Sequence, residues 1–399
     1  MLTNRQLFLN YLGQTSEKPL LLEIEKAEGI YLYGPEGKVY IDLISGVSVS
    51  NIGHGNREIV NAVKEQVDLY MHLMVYGEII QSPQVKLAEK IISLLPPQLN
   101  NCYFVNSGSE AVEGAIKLAK KYTGRSKIVS FINSYHGSTA GALSVTGSEP
   151  FKNAFRPLLP DVFFIPFNNI YTLDIIDSET ACVITEPVQA EAGVICPENN
   201  FLSHLRNKCT EAGALLIFDE SQIGFGRLGE IFALRKFNVT PDILVLSKAL
   251  GGGMPLGAFI SSREIMSAIA HNPPLGHITT FGGHPVCCAA GLASIEIILR
   301  DQLHLKVREK SDLFKRYLTG KAIREIRGDG LLLAVETGNE NLTKYIIMHA
   351  PDYGLLLDYF LFCPTAFRIA PPLIITPEEI KTACQKVNEL MNNALKETR

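Results

Sequence analysis

Hydrophobic positions along this chain fall into three successive patterns. Up to about residue 55 they come as short β-like pieces, Gly29-Ile-Tyr-Leu-Tyr33 and Val39-Tyr-Ile-Asp-Leu43, joined by the turn Gly34-Pro-Glu-Gly37. A meander this small needs another element to cover it. A Gly-rich passage from Ser45 to Gly55 then leads into a stretch whose Ile59, Val60, Val63 and Val67 recur at helical spacing, which predicts a helix over 58–69. From Ser82 onward, short apolar runs at 102–105, 127–131, 162–166, 181–185, 214–218 and 243–246 alternate with helical stretches. One of these is 84–94; another follows Ser107 and packs Ala111, Ala115, Ile116, Leu118 and Ala119 inward. Continuous apolar runs suit strands buried on both faces, so strand, helix, strand in repetition predicts a mostly parallel sheet with helices on both sides. Past residue 300 the pattern changes again. A charged amphipathic helix over 303–318 precedes the strand-like runs Gly330-Leu-Leu-Leu-Ala-Val335, Gly354-Leu-Leu-Leu357 and Phe367-Arg-Ile-Ala370, and a polar-faced helix over 377–395 follows. The expected architecture is α/β: a large domain over 56–300, a smaller α+β domain over 301–399, and an N-terminal segment, 1–55, that joins the small domain.

Composition narrows the function. The 399 residues are 46% hydrophobic and 20% charged, as in ordinary soluble globular proteins. A formal net charge of -4 gives no electrostatic reason to expect nucleic acid or an anionic membrane as partner, which leaves small molecules. The eight cysteines form no CxxC pair and no Cys/His metal spacing, and several sit in apolar runs where thiols behave as small hydrophobes. No metal site is expected, and a reducing cytoplasm is. The N-terminal apolar stretch is cut by Asn10 and Gly13, and no apolar run approaches the ~18 residues of a membrane span.

Chemistry concentrates at the ends of two apolar runs. Ile243-Leu-Val-Leu-Ser-Lys248-Ala-Leu-Gly-Gly-Gly253 places Lys248 at the C-terminal end of a buried strand, where open α/β sheets hold their ligands. It reads either as a surface lysine in a flexible glycine loop or as a partly desolvated amine in a crevice that glycines open to a bulky cofactor. Ile217-Phe-Asp219-Glu220-Ser-Gln222 ends a second run in a carboxylate 29 positions upstream (248 − 219), near the ~30 residues of a βαβ unit. An amine and a carboxylate at neighbouring strand ends can grip opposite sides of one ring. Asn106-Ser107-Gly108-Ser109-Glu110 fits a capping box, with Ser107 as N-cap and Glu110 three residues on. A glycine between two hydroxyl residues at a helix N-terminus also suits a phosphate. His54 has no partner at metal spacing and reads as a loop histidine.

With these stretches in order, the chain resembles a class III pyridoxal-phosphate aminotransferase of the ornithine and acetylornithine type, of fold type I. The further motifs that carry the resemblance are Ser134-Tyr-His-Gly137, Glu186-Pro-Val-Gln-Ala-Glu191, Asp219-Glu-Ser-Gln222 with Gly224-Phe-Gly-Arg227, Thr280-Phe-Gly-Gly-His-Pro285 and Arg368-Ile-Ala-Pro-Pro-Leu373. The resemblance implies pyridoxal 5'-phosphate as cofactor, held covalently by Lys248, which then moves the substrate proton. Asp219 is implied to pair with the pyridine nitrogen, Gln222 to bond the ring's phenolic oxygen and Tyr135 to stack on the ring. His136 and Glu186 are implied beside the ring. Ser107, Gly108 and Ser109 are implied to cradle the phosphate, helped by Thr280 of a second subunit, so a homodimer with shared active sites is expected. Arg368 is implied to grip a substrate carboxylate, with Glu191 as a gate that pairs with it when no carboxylate is bound. The bland readings of Tyr135 and Arg368 are a buried tyrosine and a structural ion pair.

The activity this implies is transfer of an amino group, in two half-reactions, from an ω-amino acid or related amine to a 2-oxo acid. Two departures bear on specificity. Ser138 stands where ornithine and acetylornithine enzymes carry an arginine for a second carboxylate, and Val47 where ornithine enzymes tend to have a tyrosine in the donor pocket. An aminomutase, racemase or decarboxylase on the same scaffold is the alternative, with a non-catalytic relative behind it.

Overall fold

In the computed structural model, which describes residues 2–397, the N-terminal meander consists of β1 (Lys26–Glu28), β2 (Tyr31–Tyr33) and β3 (Val39–Asp42). The apolar runs of the middle of the chain become β4 (Asn101–Val105), β5 (Lys127–Phe131), β6 (Val162–Ile165), β7 (Thr180–Thr185), β8 (Leu215–Asp219) and β9 (Ile243–Leu246), and they are joined by β10 (Gly257–Ser261). These seven form one sheet in the order β4-β10-β9-β8-β7-β5-β6. From β9 to β6 all pairs are parallel, whereas β10 runs antiparallel to both β9 and β4. The alternating strand and helix pattern does not predict β10. Only residues 247–256 separate it from β9, fewer than the dozen or more that a parallel crossover needs, so the chain returns alongside in the opposite sense.

Strand alternation puts the core on both faces of this sheet. Leu215 and Ile217 of β8 pack with Ile128, Ile184, Ile243 and Val245 against the helix Gly108–Thr123. Leu216 and Phe218 face the other way, among Val129, Phe131, Val183, Leu244 and Leu246. Each fully buried side chain of this size contributes about 1.5–3 kcal/mol relative to exposure. The helix Gly108–Thr123 lies unusually close to the sheet: a Cβ on Gly114 would sit 2.3 Å from the Phe259 ring. That approach fixes where the helix N-terminus points.

The C-terminal strands are β11 (Glu325–Asp329), β12 (Leu332–Glu336), β13 (Leu355–Leu356), β14 (Asp358–Phe360) and β15 (Cys363–Ile369). All but β13 form an antiparallel sheet in the order β11-β12-β15-β14. The apolar run at 330–335 is the second arm of a hairpin that turns at Gly330, where φ is 56°. β13 instead pairs in parallel with β3, Leu355 opposite Ile41, so the N-terminal meander is completed by a C-terminal strand. The amphipathic stretch at 303–318 opens as a 3-10 turn, Leu303–Lys306, before the helix Val307–Tyr317. Among the described residues no helix is long and apolar enough to cross a membrane.

Candidate active site

β8 and β9 lie side by side in parallel, with Asp219 opposite Val245, so both chains leave the sheet at the same edge. Asp219 is the last residue of β8 and Lys248 follows β9 by two positions. Both line a cavity of about 510 Å³, within the range of small-molecule sites. Lys248 carries a left-handed backbone, φ 53°, which an L side chain adopts at a cost and which recurs at functional positions. The amine of this residue donates to Gln222 Oε1 at 2.8 Å. Burial pulls the amine's pKa down to about 8; Arg368 pushes the same way, while the carboxylates of Glu191, Asp219 and Glu186 partly oppose it.

Asp219 is held on both oxygens. Oδ2 accepts from His136 Nδ1 at 2.8 Å and Oδ1 from the Ser221 N–H at 3.1 Å. With the carboxylate as acceptor, Nδ1 carries the imidazole proton, and this fixes the ring's orientation. The neighbouring Glu220 points the opposite way, as strand alternation requires, and accepts from Ala233 N (2.6 Å) and Leu234 N (2.7 Å). Glu186 accepts from Tyr135 N at 2.9 Å and Ala190 N at 3.1 Å. Burial pushes its carboxyl up to about 8, against those two donors and with the help of Asp219 and Glu191.

The N-terminus of the sixteen-residue helix Gly108–Thr123 forms another wall. Ser107 caps it, its Oγ accepting from Glu110 N at 3.2 Å, but the reciprocal half of the expected capping box does not form. Glu110 instead reaches back to Asn106, accepting from its backbone N (2.7 Å) and its Nδ2 (2.8 Å). A Cβ on Gly108 would lie 2.7 Å from Ser247 Oγ, so only glycine lets this helix end press against the tip of β9. Ser109 Oγ accepts from Ser138 N at 3.3 Å, which laces the helix end to the Tyr135–Ser138 loop. Such an end offers N–H groups and a partial positive charge to an anion.

Three polar atoms around the cavity are buried and without partners: His136 Nε2, Ser221 Oγ and Gln222 Nε2. Folded proteins leave few such groups unpaired, so their convergence on one space calls for a polar ligand. An amine, a carboxylate and an anion-receptive helix end on separate walls fit a phosphorylated heterocycle. Among the described residues no group of three His, Cys, Asp or Glu side chains could hold a metal ion.

The remaining predicted residues lie outside this lining. Arg368, on β15, pairs with Glu191 through Nη2 and Oε1 at 2.6 Å, the two side chains 1% and 5% exposed. Glu191 Oε2 also accepts from Leu361 N at 3.1 Å, and the guanidinium lies 4.7 Å over the Phe360 ring. Val47 sits in the turn Ser45–Ser48, where four successive residues have φ of 46°, 60°, 60° and 64°. Outside glycine each such residue costs about 1–2 kcal/mol. Val49, just beyond the turn, lines the cavity where Val47 does not. Thr280 is exposed and away from this chain's own cavity, its carbonyl accepting from His72 Nε2 at 2.8 Å. His54 bonds Asp42 Oδ2 at 2.8 Å, a satisfied loop histidine.

Sequence reasoning missed Val49, Ser221, Ser247, Met254, Pro255 and Leu256 as lining residues; Ser221 and Ser247 are legible afterwards as polar residues within two positions of Asp219 and Lys248. It also left Arg227 without a role, although its motif was visible.

The family described as Aminotransferase class-III matches residues 12–391. An acetylornithine aminotransferase of Methanopyrus kandleri is 39% identical over 369 residues, covering 91% of this chain and 92% of its own. Among solved structures, the ornithine aminotransferase from Toxoplasma gondii, described with pyridoxal phosphate partly occupying its active site, has a TM-score of 0.89 at 27% identity, covering 98% of this chain and 93% of its own. An omega transaminase from Pseudomonas jessenii in complex with PMP has a TM-score of 0.91 at 25% identity, covering 99% of each chain.

Proposed function

The chain belongs to the class-III aminotransferases and is a pyridoxal-phosphate-dependent transaminase of fold type I, and on that basis we propose how its residues divide the work. The observation that carries the assignment of roles is the amine of Lys248 and the carboxylate of Asp219 lining one cavity from adjacent strand ends. Bound pyridoxal phosphate supplies a carbonyl that exchanges oxygen for an amine nitrogen and a ring that accepts electrons. Lys248 holds the cofactor and, once displaced, takes and returns the proton at the substrate carbon; an amine brought down to about 8 can do both near neutral pH. Asp219, oriented by His136, faces the pyridine nitrogen and keeps it protonated. Gln222, with its free Nε2, donates to the phenolic oxygen. Tyr135 stacks on the ring, Glu186 stands behind it, and Ser107, Gly108 and Ser109 take the phosphate.

Arg368 binds the carboxylate of the 2-oxo acid, and Glu191 covers it while a terminal amine is bound. Val49 forms the wall on the donor side of the cavity, and Val47 belongs to it through the turn Ser45–Ser48 that carries Val49. The donor is a terminal amine of the ornithine or acetylornithine kind, the substrates that the names of the Toxoplasma and Methanopyrus proteins indicate for those proteins. Ser138 brings no cation for a second carboxylate. The working unit is a homodimer in which Thr280 reaches the partner's phosphate. Supporting this, Leu69, Met71, Met74 and Ile80, in the same stretch of sequence as His72, are exposed, and the His72 ring lies 4.9 Å from exposed Phe281. Exposed large apolar side chains are what an association face covers. Residues 1–55 and 301–399 form one small domain against a large one over 56–300, supported by the pairing of β3 with β13. Eight free cysteines suit a cytoplasmic setting.

The test is a donor panel on the purified, cofactor-loaded protein. Ornithine, N-acetylornithine, 4-aminobutyrate, diamines and α-amino acids are each offered without acceptor, and conversion is followed by the cofactor's absorbance. Complete conversion by a terminal amine, reversed by a 2-oxo acid, is expected; racemisation or decarboxylation without transfer would favour the alternative chemistry.

A further inference from the structure

Arg227 is fully buried, yet its hydrogen-bond partners among the described residues are all neutral. Nη1 donates to the Leu331 carbonyl at 3.0 Å and the Pro371 carbonyl at 2.5 Å; Nη2 donates to Ser45 Oγ at 3.2 Å and to Asn51 Oδ1. A buried cation is costly unless hydrogen-bonded, and here the acceptors come from three segments far apart in sequence. Two of them, Ser45 and Asn51, bracket the left-handed turn Ser45–Ser48.

That turn is strained despite its own backbone hydrogen bonds. Four successive positive φ values include the β-branched Val47, and Ser48 Oγ is buried without a partner. Asp42 Oδ1 fastens its start, accepting from Ile44 N (2.9 Å) and Ser45 N (2.8 Å). On its far side, Ser45 Oγ donates to the Ala370 carbonyl at 2.7 Å, and the Ala370 N–H donates to the Leu43 carbonyl at 2.6 Å. The turn therefore meets the segment that follows Arg368, and Arg227 bridges the two through Pro371. Val49, which lines the cavity, hangs from the turn by its N–H to the Ser45 carbonyl at 2.8 Å.

We propose that Arg227 is a positioning residue for substrate: it holds the Ser45–Ser48 turn in its left-handed form and locks it to the Ala370–Pro371 segment, so that the Val49 wall and Arg368 keep a fixed relation. Its partners include none of Lys248, Asp219 or Ser107–Ser109, so the hold on the cofactor is separate from it. The kinetic part of this inference rests on the assignment of Arg368 and the donor wall above; the conformational part does not.

The test compares the loaded wild type with Arg227→Lys, Ser45→Ala and the double variant Arg227→Lys/Ser48→Gly. Hydrogen exchange of the Ser48, Val49 and Ser50 amides, all bonded within the turn, reports the conformation directly. In Arg227→Lys these amides are expected to exchange about tenfold faster or more, and donor KM to rise about fivefold, with kcat and cofactor content within about twofold. Ser48→Gly, which accepts a left-handed backbone without strain, is expected to recover at least about half of both effects. Unchanged exchange at those amides, or activity lost at constant KM in step with melting temperature, overturns the proposal. If Arg227→Lys does not accumulate, Ser45→Ala, which removes one acceptor and the link to Ala370, is read by the same criteria. Should the wild type transfer from no amine, the assignment of roles fails while the exchange comparison still decides what Arg227 does.

Discussion

Replacing Glu191 by Gln removes the charge that neutralises Arg368 while keeping the side chain's size. Arg368 has no equivalent counterion to fall back on. Asp358 Oδ2 lies 4.0 Å from Nη1, and burial pushes that carboxyl up, so it is a weaker partner. Nε and Nη1 of Arg368 already lack hydrogen-bond partners. On the proposed role of Arg368, an incoming substrate carboxylate must displace Glu191 from its 2.6 Å contact, and the cost of doing so would separate amine donors with a neighbouring carboxylate from those without. A hydrogen bond to a charged group is worth about 1.5–3 kcal/mol and a neutral one about 0.5–1.5, so glutamine lowers that cost by about 1–1.5 kcal/mol. This is about a five- to twelvefold change in relative affinity. The Leu361 N–H loses an acceptor as well, so some loss of stability accompanies the substitution. The assay is the ratio of kcat/KM for L-alanine to that for 4-aminobutyrate, with one acceptor, in wild type and Glu191→Gln. The ratio is expected to move toward alanine by about that factor. A ratio unchanged within about twofold, or an equal fall for both donors, refutes the gate.

Lys248→Ala is expected to retain a phosphate-held cofactor but to make less than about one turnover per site, since the proton carrier is gone; repeated turnovers in that variant would remove Lys248 from its role. Because burial lowers the Lys248 amine from 10.5 to about 8, its neutral form gains about tenfold per pH unit below that value and saturates above it. The rate at which apoprotein captures cofactor, followed by absorbance from pH 6 to 10.5, should rise and level off near 8; a rate still climbing through pH 10 would count against a desolvated amine. His136→Ala deprives Asp219 of its 2.8 Å donor, a charge-assisted bond worth about 1.5–3 kcal/mol. The cofactor's dissociation constant, measured by dialysis, should therefore rise by about ten- to a hundredfold, and an unchanged constant would show that His136 does not position Asp219.

How much of this was legible in the sequence depends on whether a residue's role is local. Asp219 and Lys248 were readable because strands buried on both faces leave unbroken apolar runs, and the polar residues within two positions of each run's end mark the sheet edge where ligands sit. Parity along the strand separates Asp219 from Glu220: one residue further on, the side chain faces the opposite way and caps a helix instead. β10 was hidden because its apolar run, Gly257-Ala-Phe-Ile-Ser, is short and its antiparallel sense breaks the strand and helix alternation. The Ser45–Ser48 turn was hidden for a different reason. Gly46 alone hints at positive φ, and nothing in Ser-Gly-Val-Ser obliges a valine to follow it there. What obliges it lies at residues 42, 227 and 370, joined only by folding. Residues assigned to the cofactor are thus announced by their neighbours in sequence, whereas a residue assigned to keep a strained backbone in place is announced by nothing within a turn of itself. Arg227 follows from this: a buried guanidinium with no carboxylate among its hydrogen-bond partners and only the field of Asp42 to offset its burial is costly for the core alone, and it becomes intelligible when the conformation of the turn it holds is what the active site requires.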